Sequence, residues 1–366
     1  MAKKKRKNRD ALRVFGWQAD DGGCGQERIE APLDTLNRLA DWSCSHSSWL
    51  NAQDLHEHRY DLVIGQRTSS PEAFQLWQAL VNPLGPATIY EVDDFLFGVE
   101  PTNRTAHEFF SMESTQRIMA TSLYLADAVT VSCEPLKEAL SQFNPNIYVI
   151  PNYQPKRYLQ APRRATSADV VVGYGGGSSH TLDILANVAG IRSAMAANEH
   201  VTFRNYGQNF AQEFALPRFE YVPWQKQKRA YMESLRLDVG ICPLRDTQFN
   251  RCKTSIKALE YAMKGVPCVA SNVTPYKEFV VDGVTGFLVD TAEEWHDALH
   301  ELVNNPDLRY ELGCNAYELA CAWTLEGHID ERAAIYEQVI SIDRDAKHNK
   351  WRQVKAAMNG EPFIPA

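Results

Sequence analysis

One stretch of the chain, from Asp238 to Gly286, constrains its fold more than any other. It reads as an apolar strand from Val239 to Leu244, a polar loop, an amphipathic helix from Thr254 to Met263, and a strand from Pro267 to Ser271. This order of elements predicts an open parallel α/β sheet with flanking helices. Such sheets bind ligands where strands end and helices begin, because backbone N–H groups and the positive helix end both point there. We therefore expect a ligand site beside this helix.

Charged side chains recur at roughly helical spacing around this helix, at Lys253, Lys257 and Glu260. The two lysines, together with Arg251, can neutralise the phosphates of a nucleoside diphosphate. The carboxylate of Glu260 can accept two hydrogen bonds from a ribose diol. The pattern predicts a nucleotide site.

The run KTSIKALEYAMKGVPCVAS, followed by EFVVDGVTGFLV, resembles the donor-binding half of GT-B nucleotide-sugar glycosyltransferases. It is most similar to the large retaining group that includes glycogen synthases and many bacterial and phage enzymes. The resemblance implies an α/β fold with two doubly wound, Rossmann-like domains that face a cleft, and it implies that Glu260 holds the ribose. In that group a second Glu, eight residues earlier, usually contacts the transferred sugar. This chain has Cys252 there, so retention and inversion both stay open.

The resemblance also divides the chain. It implies an acceptor-binding domain over residues 11–160 and a donor-binding domain over residues 161–326. Residues 327–366 are then a C-terminal helix that crosses back to pack on the N-terminal domain. Residues 1–10, MAKKKRKNRD, are a basic tail that we expect to be disordered. The tail either aids solubility or attracts DNA, RNA or another anionic surface.

Composition limits the function classes. The chain has 366 residues, which favours two domains, and a formal net charge of -8, which argues against a dedicated nucleic-acid binder. No apolar run approaches membrane-spanning length and no signal peptide is recognised, so we expect a cytoplasmic protein. The cysteines are scattered without a CxxC pair, which predicts neither disulfides nor a zinc site.

The N-terminal half offers candidates for the acceptor side. A glycine-rich turn follows the first strand, where backbone can approach a ligand closely, although a tight strand-to-helix connection explains the glycines equally well. In the resembled family this loop lies across the cleft from the donor. The predicted acceptor-side residues are Gly23, Cys24, Arg28 and Arg67.

Adjacent carboxylates, Asp93 and Asp94, follow the strand ATIYEV. This position suits catalysis in an α/β fold, and it equally suits a helix cap or a turn. The resemblance implies a residue that contacts the acceptor or the transferred sugar. Such a residue would orient hydroxyls in a retaining mechanism or act as general base in an inverting one.

The run GYGGGSSHTLDI opens the second domain with Gly175, Gly176 and Gly177. It is neither a GxGxxG dinucleotide fingerprint nor a P-loop, and it resembles the GT-B glycine loop that approaches the diphosphate. His180 is a catalytic candidate that could donate to a phosphate oxygen or a sugar hydroxyl, or it could be an ordinary surface histidine.

Loops after two further strands complete the predicted donor site. The resemblance places Trp224 beside the nucleobase, and it places a backbone segment near the sugar and the distal phosphate. That segment contains Thr274, Pro275 and Tyr276. Tyr231 reads as a core or cleft-wall aromatic residue and is not assigned to the site.

These features predict a glycosyltransferase that uses a nucleoside-diphosphate sugar, most simply a UDP-sugar, as co-substrate and needs no metal or other cofactor. The acceptor is a hydroxyl group. A loose similarity to phage-encoded transferases includes a modified DNA base or a virion protein among the acceptors, next to bacterial proteins and glycans. Two alternatives stay open: a nucleotide-sugar epimerase, and a non-catalytic binding protein on a decayed scaffold, which Cys252 favours.

Overall fold

The computed structural model describes residues 11–50, 53, 59–164, 167, 169–343 and 351. These residues fall into two compact units. The first comprises the described parts of residues 1–93, 112–150 and 328–366, and the second comprises those of 94–111 and 151–327. The basic tail of residues 1–10 lies outside the described residues.

The first unit is built on six parallel strands in the order β2-β1-β3-β4-β5-β6. They are β1 Leu12–Trp17, β2 Trp42–Ser47, β3 Leu62–Gln66, β4 Ala87–Glu91, β5 Ala128–Val131 and β6 Ile147–Val149. Strand β1 pairs with β2 on one side and with β3 on the other. The chain therefore changes direction across the sheet between β1 and β3, and the loops after these two strands flank a topological switch point.

Helices cover this sheet at Gly23–Gly25, Gln26–Glu30, Ala31–Leu36, Pro71–Leu80, Glu113–Leu125, Glu134–Leu140 and Ile329–Ile340. The helix Ile329–Ile340 contacts the helix Ala31–Leu36 and strand β4. Its Tyr336 ring lies 6.3 Å from the Trp42 ring, edge to face. Part of the predicted C-terminal helix thus packs within the first unit, while most residues beyond 343 lie outside the described part of the chain.

The second unit repeats the architecture in the order β12-β11-β10-β7-β8-β9, again with parallel pairs. Its strands are β7 Val170–Gly176, β8 Val201–Gly207, β9 Phe219–Pro223, β10 Val239–Cys242, β11 Cys268–Ser271 and β12 Gly286–Val289. Here the switch point lies between β7 and β10. Two parallel sheets with flanking helices confirm the predicted α/β class.

The main helices of the second unit are Arg104–Phe110, Thr181–Ala196, Ala211–Phe214, Lys228–Ser234, Gln248–Arg251, Ile256–Ala262, Thr274–Lys277, Ala292–Asn304 and Pro306–Cys321. Short 3-10 turns lie at Leu96–Gly98, Lys156–Tyr158 and Ser178–His180. Two apolar cores form on opposite faces of the sheet: Val170 and Val172 of β7 join one, and Val171 packs against the other. No helix among the described residues is long and apolar enough to cross a membrane.

The contacts group residues 94–111 and 151–160 with the second unit, whereas the sequence-based boundary placed them in the N-terminal domain. Two ion pairs join the first of these segments to the rest of the second unit. Arg245, in the loop after β10, pairs with Glu100, and Lys253 lies 3.8 Å from the carboxylate of Asp94. Such long-range charge pairing leaves no local signal in a sequence.

Candidate functional site

The glycine loop at the end of β7 is tightly packed at two of its three positions. A Cβ atom on Gly175 would lie 2.5 Å from the Tyr231 hydroxyl, and one on Gly176 would lie 2.2 Å from the Tyr174 hydroxyl. A Cβ atom on Gly177 would meet nothing within 4 Å. The first two glycines are therefore required by packing, and Gly177 presents open backbone immediately before the turn Ser178–His180.

Asp183 lies in the first turn of the helix Thr181–Ala196, which follows β7, and it is hydrogen-bonded to the loop after β10. Its Oδ1 accepts hydrogen bonds from the backbone N and the Nε of Arg245, at 3.1 and 3.2 Å, and from Nδ2 of Asn250 at 2.9 Å. Its Oδ2 lies 3.0 Å from Nδ1 of His180. Burial alone would raise the pKa of Asp183, but the hydrogen bonds from His180, Arg245 and Asn250 outweigh it and lower the pKa. Asp183 is therefore an ionised buried carboxylate.

His180 is held in one tautomer by this carboxylate. Burial lowers the pKa of His180, and the charges of Lys253 and Lys257 lower it further, against the opposing effect of Asp183. The neutral ring therefore predominates at pH 7. Because an ionised carboxylate can only accept a hydrogen bond, we assign the ring proton to Nδ1. Nε2 is then an acceptor, and in this tautomer a ligand that donates a hydrogen bond suits His180 better than a phosphate oxygen does.

Glu260 is fully buried, and its carboxylate accepts hydrogen bonds from three donors. Its Oε1 pairs with Nζ of Lys228, and its Oε2 accepts from the Tyr231 hydroxyl at 2.9 Å and from Nζ of Lys257 at 3.1 Å. Burial opposes ionisation, but Lys228 and Lys257 hold the pKa of Glu260 below its ordinary value. Lys228 and Tyr231 were not predicted as site residues. Their three-residue spacing on the helix Lys228–Ser234 is the signal that places both on one face.

The remaining predicted cations differ in position. Lys253 lies near Asp94 and over the ring of Phe249, at 4.6 Å from its centroid. Arg251 instead forms a bidentate pair with Asp246, at 2.6 and 2.8 Å, and is more than half exposed. Within the described part of the chain, no hydrogen bond or ion pair joins Arg251 to the other predicted donor-binding residues. The contacts of Arg251 therefore do not support its predicted role in phosphate binding. The neighbouring Cys252 is buried.

Trp224 follows β9 with 62% of its side chain exposed. Its ring lies beside Gly207, where an added Cβ would come 3.2 Å from it, and Gly207 in turn abuts the carbonyl of Gly176. Trp224 therefore lies at the same end of the sheet as the glycine loop. An exposed indole face at that position is free to stack on a planar ligand.

The segment after β11 exposes little side-chain surface. The side chains of Pro275 and Tyr276 are buried in the core, and only Thr274 is half-buried. The N–H of Tyr276 donates to the carbonyl of Val273 at 3.0 Å. Thr274 is therefore the most accessible side chain of the three, and the predicted role of the backbone N–H groups stays a prediction.

In the first unit the structure joins the loops after β1 and β3. Nε2 of Gln66 donates to the carbonyl of Cys24 at 3.1 Å, and Arg67 pairs with Asp20. Gly23 has open space around its Cα. Three of the four predicted acceptor-side residues, Gly23, Cys24 and Arg67, thus lie together at the switch point of this sheet.

Arg28 is the exception among the acceptor-side residues. Its side chain is fully buried, its Nε lies 2.7 Å from Oε1 of Glu91, and its Nη1 donates to the carbonyl of Ile150 at 2.6 Å. It therefore ties the helix Gln26–Glu30 to β4 and to the residue that follows β6, and its side chain is turned into the protein. The sequence could not show this, because an arginine three residues past Gly25 looks the same whether it points outward or into the sheet.

The paired carboxylates Asp93 and Asp94 are both half-buried at the end of β4. The backbone carbonyl of Asp93 accepts from the Ser132 hydroxyl at 2.9 Å, and Asp94 faces Lys253. The contacts assign Asp93 to the first unit and Asp94 to the second. Among the described residues, no three His, Cys, Asp or Glu side chains are grouped as a metal site requires.

Comparison with known proteins finds a family match for part of the second unit. The family model described as glycosyl transferases group 1 matches residues 178–305, a range that contains His180, Asp183, Lys228 and Glu260. Residues 178–305 are therefore similar to group 1 glycosyltransferases. A D-inositol 3-phosphate glycosyltransferase of Corynebacterium diphtheriae is 31% identical to it over 96 residues, which are 26% of this chain and 22% of that protein. The match thus spans about a fifth of that relative's length.

Solved structures extend the likeness in fold beyond the matched residues. The sucrose-phosphate synthase of Thermosynechococcus elongatus has a TM-score of 0.65 at 15% identity, covering 91% of this chain and 100% of that one. The HepE protein of Anabaena, solved with UDP and glucose, has a TM-score of 0.62 at 15% identity with the same coverage of both chains. A pneumococcal O-GlcNAc transferase, GtfA, solved with UDP and GlcNAc, has a TM-score of 0.56 at 14% identity, covering 79% and 59%. The predicted GT-B fold is confirmed.

Proposed function

We propose that this chain transfers a sugar from a nucleoside-diphosphate sugar to a hydroxyl acceptor, with retention at the anomeric carbon and without a metal ion. The observation that carries the proposal is the buried carboxylate of Glu260. It is surrounded by Lys228, Lys257 and Tyr231 inside the residues that are similar to group 1 glycosyltransferases. A buried, ionised carboxylate beside a glycine loop is suited to recognise a diol next to a diphosphate.

The diphosphate would be held by Lys253, Lys257 and the open backbone at Gly177. Fixed cations and backbone dipoles can stabilise a departing diphosphate in place of a divalent ion. We propose UDP as the nucleotide, because HepE and GtfA are solved with UDP. The exposed ring of Trp224 would stack on the base.

The ribose would bind at Glu260. A carboxylate offers about four lone-pair positions, and Oε2 already accepts from Tyr231 and Lys257. The remaining positions are on Oε1, which Lys228 engages and which lies 3.5 Å from Nζ of Lys257. A ribose hydroxyl would share Oε1 with Lys228 or replace it, and a displaced Lys228 would add its charge to the diphosphate side of the site.

During transfer, the bond between the anomeric carbon and the phosphate oxygen breaks, and a bond to the acceptor oxygen forms on the same face. The departing phosphate oxygen takes the acceptor proton. His180 would accept a hydrogen bond from a sugar hydroxyl through Nε2, and Asp183 would act as its positioning residue. Asp93 and Asp94 would orient the acceptor hydroxyl.

The acceptor class is proposed only as a hydroxyl compound. A modified DNA base, a protein and a glycan all meet that requirement. The basic tail, which would attract DNA, lies outside the described residues. Deletion of residues 3–9 tests its part: salt-dependent DNA binding that survives the deletion unchanged would remove the tail from the acceptor question.

The first experiment is calorimetric titration of UDP-, GDP-, ADP- and dTDP-sugars in EDTA, followed by an assay for released sugar. Saturable binding of one donor, with slow hydrolysis that persists in EDTA, supports the proposal. Proton NMR of the released sugar reports its anomeric configuration, and the β anomer from an α-linked donor would contradict retention. A strict metal requirement would contradict metal independence.

The same assay separates the alternatives. An epimerase would return a donor with an altered sugar and an intact diphosphate bond. A binding protein would bind nucleotide without any turnover.

A further inference from the structure

A pocket opens at the amino ends of β10 and β11 in the second sheet. It is lined in part by Leu237 and Asp238, directly before β10, and by Val266 and Pro267, directly before β11, and its volume is about 190 Å³. These positions are at the amino ends of the strands. Gly177 follows the carboxyl end of β7, so this pocket is separate from the proposed donor site. Open parallel sheets usually bind ligands at the carboxyl ends of their strands, and this general preference does not account for a pocket at the amino ends.

The charged side chains around this pocket are mostly cationic. Its lining includes four positive residues, Arg163, Arg236, Lys264 and Arg309, and a single acidic one, Asp238. One oxygen of Asp238 is already used, because it accepts from the backbone N of Val171 at 2.8 Å. A chain of formal net charge -8 therefore concentrates positive charge here.

Arg309 is a buried charge for which no ion pair with a carboxylate is found in the described part of the chain. Arg309 is 6% exposed, and its Nη1 donates to the carbonyls of Leu302 and Val303 at 2.6 and 3.2 Å. Burial lowers the pKa of Arg309, and Asp238 offsets this only in part. Buried charges are usually paired with an opposite charge. Its contacts therefore leave room for an anion.

Lys264 is half-buried in the same lining. No ion pair to its ammonium is found among the described residues. Burial and repulsion from Arg236 lower its pKa, with only partial compensation from Glu233. Glu233 is itself engaged by Arg229, at 2.7 Å. Three segments of the chain thus bring like charges together in this pocket, on Lys264, Arg236 and Arg309. Their mutual repulsion is unfavourable without a bound anion.

We propose that this pocket binds a phosphate-bearing small molecule through Arg236, Lys264 and Arg309. A phosphate group carries up to two charges and several acceptor oxygens, which match converging guanidinium and ammonium groups better than one carboxylate does. The volume of about 190 Å³ is smaller than the roughly 300–1,000 Å³ of typical ligand pockets. It fits a phosphate with a small substituent better than a whole nucleotide sugar. The proposal is independent of glycosyl transfer.

Calorimetric titration with inorganic phosphate, and separately with glucose 6-phosphate, tests the proposal at constant ionic strength, with chloride as the control anion. Lys264→Gln should weaken binding about tenfold or more, because it removes a charged hydrogen bond. Lys257→Gln, a matched change in the proposed donor site, should leave this binding intact. Tighter binding of the ester than of the free ion would identify a phosphorylated metabolite, and the reverse would identify phosphate itself.

Three results would overturn the proposal: no saturable binding of either probe, unchanged affinity in Lys264→Gln, or loss confined to Lys257→Gln. The first would leave an acidic protein segment as the candidate occupant. Misfolding does not confuse the test, because removing the charge of Lys264 relieves repulsion and should keep or raise the melting temperature without ligand. Arg236→Gln gives a second, independent variant with the same expected loss.

Discussion

The ammonium of Lys228 pairs with the carboxylate of Glu260 although 32 positions separate them in the chain. Lys228 begins a helix that follows β9, and Glu260 lies on the helix that precedes β11. With Lys257 and Tyr231 they form one buried network, in which each donor depends on the same carboxylate. Removing that carboxylate should therefore have a larger effect than removing any single donor.

Glu260→Gln should lower the free energy of unfolding by about 1–3 kcal/mol at pH 7, because Lys228 and Lys257 lose their buried counter-charge. It should also weaken nucleotide binding by about 1–3 kcal/mol if Glu260 holds the ribose. Urea denaturation and calorimetry measure the two effects. The matched control is Glu233→Gln, at an exposed pair with Arg229, where a change within about 0.5 kcal/mol is expected. Equal losses of unfolding free energy and of nucleotide affinity in the two variants would contradict a specific role for the buried network.

The glycine loop permits a test that separates packing from ligand approach. Gly177→Ala should leave the melting temperature unchanged or slightly raised, because its φ of -94° suits alanine and its Cβ meets no atom within 4 Å. It should nevertheless weaken nucleotide binding if the diphosphate approaches this backbone. Gly176→Ala should lower the melting temperature, because its Cβ would lie 2.2 Å from the Tyr174 hydroxyl. Unimpaired nucleotide affinity in Gly177→Ala would place the diphosphate elsewhere.

His180 should make stability depend on pH below neutrality. Its pKa in the folded chain lies below the ordinary value of 6.5, so the unfolded chain binds more protons between these two values. Stability should therefore fall as the pH drops below about 6.5, and this contribution should level off below the folded pKa. His180→Asn keeps a donor toward Asp183 and cannot titrate.

Urea denaturation of wild type and His180→Asn at a series of pH values measures that difference. The difference in unfolding free energy should shrink as the pH falls through this window. Asp183 does not obscure it, since its lowered pKa moves its own titration below 3.8. A rate of transfer that declines in the same window would agree with Nε2 acting as an acceptor. Parallel stability curves for the two proteins would contradict the neutral-ring assignment.

Trp224→Ala should reduce nucleotide affinity about tenfold if the base stacks on the indole, a contribution of about 1–1.5 kcal/mol. Little stability should be lost, because the residue is 62% exposed. Trp49→Ala, at a tryptophan that is 84% exposed in the first unit, is the matched control. Titration calorimetry compares the two. A loss of affinity shared by both variants would rule out a specific base contact.

Much of the fold could be predicted from local patterns. The strands β1, β3, β4 and β7 were recognisable as apolar runs that end in glycine turns or polar loops, and the helix bearing Glu260 from its periodicity. Strand β2 was not, because WSCSHS is polar and lies at the sheet edge, where packing demands little of its side chains. The glycine loop and Glu260 were found because turn chemistry and helical spacing are short-range properties.

The sequence by itself determined the α/β class, the resemblance to GT-B glycosyltransferases, and the positions of Gly177, His180 and Glu260 on their elements. Only the tertiary structure decided which side chains meet. It brought Lys228 and Tyr231 to Glu260, placed Asp183 between β7 and β10, and turned Arg28 inward to Glu91. The physical reason is range: propensity and periodicity act over a few residues, whereas charge pairing depends on strand order, which sets neighbours across the sheet regardless of their separation in the chain.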